Sequence, residues 1–165
     1  MSGNSLIKAG IVLGMGFGGF ADGIVLHQIL GWHHLVCITD HCQPTSIEHL
    51  QQQNIQDGYF HLTVWIISLV GITMLFRAAR HPVPAWSGRV LFGAMLAGAG
   101  LFNLVEGLID HQILGIHHVL PGHPQQWLWD MLYLASGVVY ALVGWLLIKS
   151  APAAPNVPQP GPRST

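Results

Sequence analysis

Polar positions are sparse along this chain, and their placement divides it into four long apolar stretches. Residues 6–30, 59–79, 90–114 and 127–148 each supply the roughly 20 apolar residues that a helix needs to cross a bilayer. These stretches lack the polar face that a helix on the surface of a soluble domain keeps. The pattern predicts an all-α, integral membrane four-helix bundle over residues 1–150. The first stretch is too long, too rich in glycine and too polar at its far end for a signal peptide, so it is read as a retained span. Residues 151–165 are Pro-rich with little apolar content and read as a disordered cytoplasmic tail.

A second pattern lies over the first. The segment DGIVLHQILGWHH at 22–34 returns as EGLIDHQILGIHH at 106–118, with no insertion. Recurrence at a fixed offset implies a duplicated supersecondary unit. The second helix of each half matches more loosely: Asp57 aligns with Asp130 and Gly71 with Gly144, but His61 faces Leu134. The expected architecture is two parallel helix-pair repeats. Gly10, Gly14 and Gly18 form one stripe on the first helix, and Gly16, Gly19 and Gly23 another. Such spacing lets helix backbones approach closely in lipid. The run GMGFGG follows no strand, so it is not read as a phosphate-binding loop.

Composition agrees with a membrane environment: 8% of residues are charged, against about 25% in ordinary soluble domains. Trp32, Trp86, Trp127 and Trp129 fall near predicted helix ends, as in an interfacial aromatic belt. The basic residues are one-sided. Lys8, Arg77, Arg80, Arg89, Lys149 and Arg163 all belong to one set of helix ends, and the first and third connections carry none. The positive-inside rule then places both termini in the cytoplasm and the two His-rich connections outside. The expected location is a bacterial inner membrane, crossed four times. No basic patch points to nucleic acid.

Topology turns scattered polar residues into a cluster. At 1.5 Å per residue, His27 and His111 lie about 6 Å below the outer surface, and Asp22 and Glu106 about 13 Å below. Asp57, His61, Asp110 and Asp130 reach the same outer third. Ionisable groups in a membrane span are costly and mark function by default. Carboxylates and imidazoles from several helices are how bundles build metal sites, and this donor set suits zinc, copper or iron. His27, His61 and His111 are the expected ligands. Asp22, Glu106, Asp57 and Asp130 are expected to ligate or to orient the imidazoles. Asp110 ranks lower because Leu26 stands at its counterpart. On an α-helix Asp22 and His27 differ by about 140°, so they are expected to touch different neighbours. The alternatives are a hydrogen-bonded network without metal, a b-type haem held by His27 and His111, or a proton relay. No catalytic group can be named, and whether the chain is an enzyme stays open.

The outward connections hold further donors. His33, His34, His117 and His118 are read as loading ligands for a secondary metal position, or as plain interfacial residues. Cys37 and Cys42 would face an oxidising compartment, where a disulfide is the default. Capture of Cu(I) with the neighbouring His41 is the alternative. The run Gln51-Gln52-Gln53 is taken as loop without chemical signal.

At Asp22, Gly23, His27, Gln28, His33 and His34, and at Glu106, Gly107, His111, Gln112, His117 and His118, the chain resembles a family of small bacterial predicted membrane proteins grouped as a domain of unknown function. The resemblance covers about residues 10–148. It implies a four-helix membrane fold, and a link of some members to cytochrome oxidase assembly would favour copper. The expected partners, read from the sequence itself, are the lipid bilayer and either a second copy of the chain or a redox complex. Cysteine labelling checks the topology: a reagent outside intact cells should reach a cysteine introduced after Gln52 but not one after Pro84. Labelling at 84 from outside would invert the orientation.

Overall fold

The computed structural model describes residues 2–37, 42–80 and 87–152. His41, Trp86 and residues 153–165 of the expected tail lie outside them. Among the described residues the structure is all helical, with four helices long and apolar enough to cross a membrane. Helix α1 (Ser2–Asp22) runs on into a π-helical segment, Gly23–Ile29. Helix α2 covers Ile47–Ala79, α3 covers Gly88–Glu106 and continues as a second π segment, Gly107–Ile113, and α4 covers Gln126–Lys149.

Glycine sets the order of packing. A Cβ on Gly14 would overlap the Met95 carbonyl, and one on Gly98 would overlap that of Ile11. Helices α1 and α3 therefore meet backbone to backbone, and the succession Gly10 on Ala94, Gly14 on Met95 and Gly18 on Ala99 shows that they run the same way. Gly16 packs on Ser68 and Gly71 on Leu13, which lays α2 antiparallel along α1. Gly93 meets Gly144 and Gly100 meets Gly137, which lays α4 antiparallel along α3. The helices thus pack in the order α2–α1–α3–α4, with α1 and α3 central. In lipid such contacts work through close backbone approach and dispersion, because the tails offer no hydrophobic incentive for helices to associate. Trp65, Phe76, Phe92 and Trp145 are left exposed on the outside, as lipid-facing residues would be.

One boundary differs clearly from expectation. Helix α2 starts at Ile47, well before residue 59, because Ser46 caps it: its Oγ accepts the His49 N–H at 3.1 Å. Gln51-Gln52-Gln53 is therefore helical. Gln53 is buried and donates to the Cys42 carbonyl at 3.0 Å, tying the preceding loop to the helix.

The Gly14 contact leaves no room for a side chain. Gly14→Ala should force α1 and α3 apart and destabilise the protein by about 1–3 kcal/mol, as overpacking does. Gly58→Ala meets nothing within 4 Å and should be neutral or stabilise by about 0.5–1 kcal/mol. Unfolding of both variants in detergent measures the contrast.

Candidate metal centre

The centre begins with the two π segments. A π turn bonds residue i to i+5 rather than i+4, and such turns recur at functional sites. Here it brings Asp22 and His27 onto one face: Asp22 Oδ2 lies 3.2 Å from His27 Nε2. In the second half Glu106 Oε1 lies 3.0 Å from His111 Nε2. The expectation that residues 22 and 27 touch different neighbours is thus overturned, since it assumed α-helical pitch. Both segments end at a left-handed glycine, Gly31 at φ 56° and Gly115 at φ 58°, which other residues adopt only with strain. There the chain doubles back and returns the His-His pair to the helix ends.

Asp57 and Asp130 organise what returns. Asp57 is buried and accepts from Gln28 Nε2 at 2.9 Å, His34 Nδ1 at 2.7 Å and the Leu35 N–H at 2.9 Å, and it faces His27 Nδ1 at 3.0 Å. Asp130 repeats the pattern with His118 Nδ1 at 2.6 Å and the Val119 N–H at 2.9 Å, and it faces His111 Nδ1 at a longer 3.6 Å. The halves then interlock. His33 Nδ1 donates to the Val119 carbonyl at 2.8 Å, and His117 Nδ1 to the Leu35 carbonyl at 3.0 Å. Each aspartate so holds the loop whose carbonyl fixes an imidazole of the other half.

Four imidazoles, His27, His33, His111 and His117, come together between these anchors, each at most 3% exposed. A backbone carbonyl only accepts, so His33 and His117 each carry a proton on Nδ1. Burial, with His117 and His27 alongside, pushes the His33 pKa well below its ordinary value and keeps that ring neutral. Its Nε2 is then a bare lone pair turned into the cluster. His33 Nε2, His27 Nε2, His111 Nε2, Asp22 Oδ2 and Glu106 Oε2 are all buried without a hydrogen-bond partner. His117 Nε2 lies 3.1 Å from Glu106 Oε1. Donor atoms of Asp22, His27 and His33 lie within 4.8 Å of one another, as do those of His33, His111 and His117. Metal-bound histidines are held in this way, through the second ring nitrogen on a carboxylate or carbonyl.

The structure does not bring every expected residue here. His61 Nδ1 donates to the Asp57 carbonyl, one turn back in its own helix, and the ring packs on Phe20 and Phe60. Phe60 takes the place beside His27, stacking at 5.2 Å. Asp57 and Asp130 spend their oxygens on hydrogen bonds. Asp110 stays half-buried at the edge. His33 and His117, expected at the surface, lie inside the cluster, because the left-handed glycines reverse the chain; His34 and His118 cover it from outside. Cys37 and Cys42 are joined in a disulfide. The sequence reading missed Tyr133, whose hydroxyl donates to Asp22 Oδ1 at 3.3 Å. Its signal was the position three residues after Asp130, where the first half has Phe60. A groove of about 470 Å³ between α1, α3 and α4 is lined by Asp22, Tyr133, Asn103 and Ser136 among apolar residues.

Asp57→Ala would strand the buried His27 ring and the Leu35 N–H of its own half, at a cost of about 3–5 kcal/mol. His61→Leu copies the residue of the second half and should change little. Unfolding of the two variants in detergent should separate them by this margin.

Residues 9–151 match the family described as Predicted membrane protein (DUF2243). No curated protein and no solved structure matches the chain. The match runs through all four helices and both copies of the doubled motif, and the chain belongs to this family of predicted membrane proteins of unknown function.

Proposed function

We propose that the chain is a metal-binding membrane protein that holds zinc, copper or iron between its two π turns, and that this centre serves metal handling or the assembly of a redox complex at the outer face. The carrying observation is the set of Nε2–carboxylate pairs at 3.0–3.2 Å. Two ligands of one tetrahedral ion, bound at about 2.0–2.1 Å, stand about 3.3 Å apart. The His27–Asp22 and His111–Glu106 pairs have that spacing but are not aligned as hydrogen bonds. They are placed as neighbours on an ion would be.

A polar network that only glued the helices would satisfy its own atoms, since each buried orphan costs about 1–3 kcal/mol. Five of the converging donor atoms named above make no hydrogen bond; three of them stand in the 3.0–3.2 Å pairs, and His33 Nε2 and Glu106 Oε2 have no such neighbour. A haem between His27 and His111 needs a porphyrin plane there, but His33 and His117 fill the space with ring centroids 4.6–6.2 Å from their neighbours. Imidazole with carboxylate favours zinc, iron or copper over calcium or magnesium. Anchoring of His33 and His117 through Nδ1 suits slow exchange of the ion. A second reading, a redox enzyme acting on a membrane-dissolved substrate, is favoured by Tyr133, which joins Asp22 to the groove.

Elemental analysis of the detergent-purified protein is the test. Metal should be present at one or more per chain, and His27→Ala and His111→Ala should each remove the ion that the residue holds. His34→Ala and His118→Ala should slow loading more than they lower retention. Content well below one per chain, unchanged by reconstitution, would make the polar network the better reading. A Soret band would make the protein a cytochrome.

A further inference from the structure

Building on the metal reading, we infer that the cluster is made for two ions, one held by Asp22, His27 and His33 and the other by Glu106, His111 and His117. An imidazole binds a metal along the Nε2 lone pair, which lies in the plane of the ring. His33 and His117 are stacked, 12° from parallel, with centroids 4.6 Å apart. Stacked planes share no point near their nitrogens, so no one ion can lie in the plane of both rings. Within each half the planes cross instead: His27 meets His33 at 69° and 4.6 Å, and His111 meets His117 at 70° and 4.8 Å. Across the halves the crossing pairs are farther apart, at 6.2 Å for His27–His117 and 6.1 Å for His33–His111. Distance alone also groups His33 with His111 and His117, but the stacking divides that group.

Each half adds one carboxylate to its two imidazoles. Asp22 lies against His27, and Glu106 lies against both His111 and His117. The result is two histidines and one carboxylate per ion, a set that leaves coordination positions open for water or a substrate and is common for iron. Pairs of ions in such centres sit about 3.5–4 Å apart, a spacing that side-by-side stacked imidazoles accommodate. The Tyr133 hydroxyl donates to Asp22 Oδ1 at 3.3 Å and also faces Glu106, so it stands beside both positions.

The test is the metal content of full-length protein in detergent, loaded anaerobically with Fe(II) and, separately, with Mn(II). Two ions per chain are expected. The Asp22→Asn/His27→Ala variant and the Glu106→Gln/His111→Ala variant should each keep one. One ion in the wild type, lost in both variants, would overturn the two-ion inference and leave the metal centre standing. No ion in the wild type would overturn the metal reading beneath it. Should the variants fail to fold, electron paramagnetic resonance of the Mn(II)-loaded wild type decides. An exchange-coupled pair is expected, and an isolated six-line signal at full loading would overturn the inference.

Discussion

The π turn is the constraint on which the rest of this structure depends. With α-helical pitch, Asp22 and His27 would point to different sides of the helix, and so would Glu106 and His111. One i→i+5 turn in each half aligns them, and the following left-handed glycine turns the next two histidines back over the same point. Gly23 and Gly107 make the turn possible in a crowded place. A side chain at Gly23 would run into His61 and Phe60, and one at Gly107 into Tyr133 and Leu134. A helix otherwise gains from regular hydrogen bonding, so a π segment persists where tertiary contacts favour it.

The second theme is reciprocity. Asp57 orients its own His27 and, through the Leu35 backbone, the other half's His117. Asp130 does the same for His33 through Val119. The backbone contact of α1 with α3 brings the two loops within reach of each other. The disulfide at Cys37–Cys42 and the Gln53 bond to Cys42 secure one of these loops only. The halves are therefore alike at the imidazoles and unlike around them, with Tyr133 and the groove on one side and His61 with Phe60 on the other.

Much of the fold was legible because bilayer physics leaves few options. Four apolar stretches of sufficient length become helices, and glycine stripes mark where they touch. For the candidate site, the sequence showed which residues could cluster but not how they are arranged. Asp22, His27, Glu106 and His111 stood out as a repeated acidic-to-imidazole spacing in apolar surroundings. His61 looked equal to them by depth, yet depth says nothing of direction, and a single α-helical turn points its ring at Phe20 and Phe60. His33 and His117 looked like surface residues because counting residues past a helix end assumes that the chain keeps moving outward.

By itself the sequence determined the helical class, the apolar solvent, the doubled motif and the residue types available for chemistry, since these follow from composition and periodicity. Tertiary structure decided which of those residues meet. The π pitch, the reversal at Gly31 and Gly115 and the crossing of the two loops depend on contacts between segments more than 80 residues apart, such as His33 with Val119 and His117 with Leu35. Local periodicity carries no term for such contacts. They set the direction of each lone pair in the cluster, which residue identity alone leaves open.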